Sequence, residues 1–170
     1  QLDRLGTDFD FELAASDKAV EIQKLAGLLH VADRPAGRLD AGGKIEFTAG
    51  QPAGRVILKV SDANQELLRP FVASALGDKK LVSVVIGSSV TLDWEANDRI
   101  KLVADTLVTN LVVSDPKNSA LATPLQMRVQ MDTSVARQVA QINQCRVTLT
   151  PTDRAKNELN LTGAVDSSQS

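Results

Sequence analysis

The chain holds one cysteine, Cys145, and one histidine, His30, in 170 residues. A lone thiol makes no intramolecular disulfide and no thiolate metal cage, so the fold must stand on apolar burial. A lone imidazole cannot supply a catalytic triad and a metal shell together. Aromatic residues are 3% of the chain, with no tyrosine, which disfavours sugar-stacking platforms and tyrosine-rich recognition loops. No run of about 20 apolar residues is present, and neither end has the pattern of a signal peptide. There is no surplus of one charge either: 19 Lys and Arg stand against 21 Asp and Glu, spread along the sequence. That balance lacks the basic stripe of a nucleic-acid protein, so no nucleic acid is expected as a partner.

What is present is a chain of single-domain length that is 43% apolar and is expected to bury about 70% of its unfolded surface, a core that needs no staples. Gln1 is not an initiator residue. We expect a fragment of a larger protein whose targeting and membrane-anchoring segments lie outside it.

The apolar residues follow a strand period. Ile100, Leu102 and Ala104 alternate with other positions, and after Asp105 and Thr106 the phase slips, so that Leu107, Leu111 and Val113 continue on odd positions. A slip of this kind reads as a bulge in a long strand. The pattern returns 82 residues earlier, at Val20, Ile22, Leu25, Leu29 and Val31, with the same slip and a proline following each copy, at Pro35 and Pro116. The two copies read as related β-units, about 7–60 and 80–168.

In chain order, Phe9, Phe11 and Leu13 alternate with Asp8, Asp10 and Glu12 in a first strand with one wet face. Asp33 to Gly43 reads as a loop, Lys44 to Phe47 opens a third strand, and Gly50 to Gly54 turns into a fourth with Val56, Leu58 and Val60. Leu67, Leu68, Phe71, Val72, Ala75 and Leu76 then recur at helical spacing, which predicts a helix over about 62–77. Asp62 with Gln65 supplies a capping box, Gly77 a C-terminal stop, and Pro70 a kink or late start. Strand character resumes at Leu81 to Ile86, breaks at Gly87 to Ser89, and returns with Val90, Leu92 and Trp94. Asn97 and Asp98 make a hairpin, Pro116 to Thr123 a loop, and Leu125 to Met131, Val147 to Leu149 and Leu159 to Leu161 the closing strands. Short connections make sequence neighbours antiparallel neighbours.

No catalytic, metal or cofactor site emerges. Gly42, Gly43 and Lys44 lack the earlier glycine and the following Ser or Thr of a phosphate loop. Asp8 and Asp10 share a strand face and are explained as its solvated side, with no nucleophile or base beside them in sequence. His30 falls between Leu29 and Val31, on the opposite face of its strand. Cys145 sits in a polar run, Gln141 to Arg146, without a base to activate it. Asn160 to Thr162 matches a glycosylation sequon and more simply ends a strand. Trp94 follows Val90 and Leu92 on one face, as a core residue or a ligand-facing wall.

The stretch "NQELLRPFV" in the helix resembles the AsmA-like bacterial envelope proteins of the repeating-β-groove class. So do "LVTNLVVSDPKNSALATPLQMRVQMD" and "CRVTLTPTDRAKNELNLTGAVDSS". The resemblance covers residues of about 54–168, with the first 33 joined through the internal repeat. It implies a location in the bacterial periplasm or cell envelope, a curved sheet with an apolar concave face, and phospholipid or other acyl-chain ligands held there for lipid transport or outer-membrane biogenesis.

Together these readings give a mainly β (α+β) fold: a long antiparallel meander, as one curved sheet or two packed sheets, with one inserted helix packed on its apolar side. Val84, Ile86, Val90, Leu92, Ile100, Leu102, Leu107, Leu111, Leu125, Met127 and Val129 are the expected lipid-facing wall. A closed sandwich or barrel core gives the same alternation. The expected role is non-enzymatic, with no cofactor: a lipid-accommodating surface or, alternatively, an assembly module that binds an envelope protein partner through strand edges and loops.

Overall fold

The computed structural model describes residues 5–48, 51–95, 98–116, 123–150 and 157–166. Nine strands follow one another: β1 (Leu5–Ala15), β2 (Ala19–Val31), β3 (Arg34–Thr48), β4 (Gln51–Asn64), β5 (Lys80–Glu95), β6 (Arg99–Ser114), β7 (Leu125–Ala136), β8 (Val139–Thr150) and β9 (Asn157–Asp166). One helix, α1 (Gln65–Leu76), is inserted between β4 and β5. The strands form a single sheet in sequence order, each antiparallel to the next. No pairing joins β9 to β1 among the described residues, so the sheet is open. Of the two architectures expected from the alternation, the single sheet is the one formed.

Several expected breaks are absent. The segment read as a loop, Asp33 to Gly43, is most of β3, because β2 and β4 flank it with continuous ladders that outweigh its Gly and Pro content. Pro35, Gly37, Gly42 and Gly43 therefore lie within a strand. Gly37 lets the chain run close to the next strand, where an added Cβ would come 3.2 Å from the Cα of Ala63. Gly54, expected in a turn, pairs with Ile45 and Trp94. Gly87 to Ser89 interrupt nothing and pair with residues of β6. Asn97 and most of the 116–123 loop lie outside the described residues, while Asp98 takes a left-handed backbone with φ of 62°.

The first slip falls where the pattern put it, between Ile22 and Leu25. The second lies between Val108 and Leu111 rather than between Ala104 and Leu107, with Asn110 at φ 52° and its carbonyl accepting from Ser83 Oγ at 2.7 Å. The correspondence between the two copies thus stops short of the bulge.

The helix starts later than Asp62. Asn64 is its cap, accepting from the Glu66 N–H at 3.0 Å while its amide donates to the Pro35 carbonyl at 3.0 Å. Asp62 instead sits in a register shift between Val60 and Ala63, at φ 54°. Gly77 ends the helix at φ 58°, a conformation that glycine adopts without Cβ strain. Pro70 lies inside.

Leu68, Val72 and Leu76 of α1 pack on Leu81, Val84 and Val108, joined by Ile86, Leu111, Val113 and Met127. That seam, at one end of the sheet, is the hydrophobic core. It is small: the accessible surface is 11777 Å², against about 8,100 Å² for a compact chain of this mass. The expected burial of about 70% of the unfolded surface is therefore not reached, since a one-layer sheet leaves one face without a partner layer.

Candidate functional site

In an antiparallel sheet, directly opposed residues share a face, so the strand register traces rows across all nine strands. One row runs Phe11, Leu25, Ala41, Leu58, Val90, Ala104, Met131, Cys145 and Leu161. The next runs Leu13, Ile22, Gly43, Val56, Leu92, Leu102, Thr133, Ile142 and Gly163. Two more complete rows flank them, one from Phe9 to Leu159 and one from Ala15 to Val165 that contains Trp94. Across these four rows there is no Asp, Glu, Lys, Arg or His. The few polar side chains look after themselves: Ser88 and Thr106 hydrogen-bond each other at 2.7 Å.

This face is open. Phe11 on β1 is 64% exposed and Leu161 on β9 is 51% exposed, while Val56, Leu58, Val90, Leu92 and Leu102 between them are half-buried by their neighbours. Beyond the row of Phe9, Ile86 and Met127 continue the face with Val108 and join the cluster of Leu81, Val84 and Val108 on which α1 packs. The helix therefore closes one end of a long apolar surface and leaves the rest uncovered.

The charges sit on the opposite face. Arg55 meets Asp93 at 2.5 Å across β4 and β5, Arg128 meets Asp105 across β6 and β7, Lys101 meets Asp132 at 3.2 Å, and Arg146 meets Glu158 at 3.0 Å across β8 and β9. Lys24 and Asp10 pair across β1 and β2. These contacts hold carboxylates below their ordinary range. The Arg128 guanidinium does so for Asp105, the Asn143 amide and then Lys101 for Asp132, Arg38 for Asp40, and Lys44 for Glu46. Each such pair is exposed and adds little stability. Their consequence is orientation: a one-residue register slip would put all of them on the apolar side.

Of the expected wall, Val90, Leu92, Ile100, Leu102 and Val129 lie on the four open rows. Val84, Ile86, Leu111 and Met127 belong to the seam under the helix, Val84 being 2% exposed, so they are core and not open wall. Leu125 opposes Leu111 just past the bulge. Leu107 is a correction: it opposes Gly87 and Arg128 on the charged face, and Val108 takes its place, because the bulge comes after this pair and not before it. The rows also bring in residues of the first half, Phe9, Phe11, Leu25, Leu39 and Leu58, that the expected wall left out. The signal for them was there, as the same alternation followed through every strand.

His30 lies on the charged face as expected, with Nδ1 3.6 Å from Asp8, whose side chain is 83% exposed. Asp8 and Asp10 are exposed, and His30 beside them is half-buried. Cys145 is on the apolar face between Met131 and Leu161. No group of three or more His, Cys, Asp or Glu able to hold a metal occurs among the described residues. Nor is any described helix long and apolar enough to cross a membrane.

What such a face can do is exclude water from alkyl groups, at about 0.8 kcal/mol per buried methylene, with no polar group to impose selectivity. Neither a protein-family model, nor a curated protein, nor a solved structure matches this chain.

Proposed function

We propose that this chain is a non-enzymatic segment of a bacterial cell-envelope protein and that its uncharged sheet face accommodates the acyl chains of phospholipid or another amphiphile, in lipid transport or outer-membrane biogenesis. One observation carries the reading: four rows of cross-strand partners, each nine strands wide, contain no charged side chain, while ion pairs line the other side. A contiguous apolar face left without a covering layer marks a surface for a lipid or protein partner. The envelope location rests on the sequence resemblance alone.

The test is native mass spectrometry of the chain purified from a bacterial host, followed by solvent extraction and lipid analysis. Co-purified phospholipid should be present, and Leu92→Asp with Leu102→Asp should remove it while circular dichroism stays that of the parent. Protein without lipid, or lipid retained by the double variant, refutes the reading.

A second reading has its own support. Among the described residues no strand pairs with the outer edge of β1 or of β9, and every residue of β9 is exposed, so a partner strand could add to either. A stoichiometric protein and no lipid in the same spectra favours that reading.

A further inference from the structure

Where α1 returns to the sheet, a cleft of about 290 Å³ lies between the helix and the first residues of β5. Val72, Leu76 and Leu81 line it, and all three belong to the seam that joins the helix to the apolar face. Arg69, Lys79 and Lys80, all exposed, complete its lining, which includes no acidic side chain. On a sheet face otherwise without charge, this is where cations come against apolar surface.

The three cations differ in how far they are neutralised. Arg69 is pinned, donating from Nη1 to Glu66 Oε1 at 2.7 Å and from Nε to the Leu81 carbonyl at 3.4 Å. The Lys79 ammonium is 3.9 Å from Asp115, a loose and exposed pair, and its backbone N–H bonds the Leu76 carbonyl at 3.1 Å, fixing the turn that follows the helix. Lys80 has no ion pair among the described residues. An anion at this mouth would meet the Arg69 guanidinium already held in place, the Lys80 ammonium and a Lys79 ammonium only loosely held by Asp115, and an alkyl chain attached to it would lie on Val72, Leu76 and Leu81.

We infer that this cleft seats the anionic head of an amphiphile, carboxylate or phosphate, and so gives the apolar face a preference for acidic over neutral lipids. The inference rests on the acyl-chain reading above and assigns the headgroup end of that surface.

The experiment measures binding of dodecanoate, below its micelle concentration, and of methyl dodecanoate, which has the same chain without the charge. Inorganic phosphate serves as competitor, and parent and Lys79→Gln with Lys80→Gln are compared. The parent should bind the carboxylate about fivefold more tightly than the ester, as befits partly exposed ion pairs. The double variant should lose that preference with unchanged affinity for the ester. Equal binding of both ligands by the parent, or a preference that survives in the variant, overturns the headgroup site and leaves the acyl-chain reading standing. Binding of neither ligand overturns both. Displacement of dodecanoate by equimolar phosphate makes the cleft a free-anion site and overturns the inference.

Discussion

Val84 and Leu161 are both aliphatic residues in the strands of one sheet; the first is 2% exposed and the second 51%. Val84 lies in β5 under α1, Leu161 in β9, where no second layer covers the sheet. Strand pairing alone, repeated from β1 to β9, thus buries side chains only halfway. A second layer completes the burial, and among the described residues α1 alone provides one, over Leu81, Val84 and Val108. Stability and exposed apolar surface are therefore divided along one face, with the core at the helix and the candidate binding surface beyond it.

Truncation should split the two regions most clearly. Val84→Ala should lower unfolding free energy by about 2 kcal/mol, from lost transfer energy and the cavity left behind, whereas Leu161→Ala should stay within about 0.5 kcal/mol. Urea titrations of both variants check this, and equal losses would mean that the open face is covered in solution. Next in size is the helix cap. Asn64→Ala leaves the Glu66 N–H and the Pro35 carbonyl without their side-chain partner and should cost about 1 kcal/mol. Hydrogen exchange should then rise in α1 and around Leu81 and Val84, with β1 and β9 unchanged.

The smallest effect belongs to the charged face. Asp105, Asp132, Asp40 and Glu46 all have carboxyl groups held below their ordinary values in the folded state. Their contribution is fully present only above about pH 5, where these groups are largely ionised even when unfolded, and is lost as pH falls through the lower folded values. The thermal midpoint should fall modestly between about pH 5 and pH 2, and Asp105→Asn should reduce that fall. An unchanged midpoint over this range would mean that the pairs orient the sheet without stabilising it.

Much of this was legible because period-2 alternation is a direct statement about faces. Phe9, Phe11 and Leu13 against Asp8, Asp10 and Glu12 announced both sides of β1, and the helical spacing of Leu68, Val72 and Leu76 announced the element that covers the seam. Turn chemistry was less legible. The β2–β3 and β7–β8 hairpins turn on Ala32 with Asp33 and on Arg137 with Gln138, all at positive φ and none of them glycine, so no Asn-Gly or Asp-Gly signal marked them. The glycines of β3 read as a loop because glycine content is a local turn signal, whereas the ladders to β2 and β4 on both sides hold them extended. The bulge in β6 was misplaced because Leu107 and Val108 are equally apolar; register with β5 and β7 decides which faces the helix.

The sequence by itself determined that this protein is a β meander with one helix, that each strand has an apolar and a polar side, and that Gly77 stops the helix. These are consequences of local periodicity and local backbone preference, which a chain carries wherever it lies. Tertiary structure alone decided that the rows align across all nine strands into one open sheet, that Val108 and not Leu107 faces the helix, and that Arg69, Lys79 and Lys80 gather at one apolar cleft. Each depends on pairing between distant residues, where one bulge residue more or less moves a whole strand to the other face.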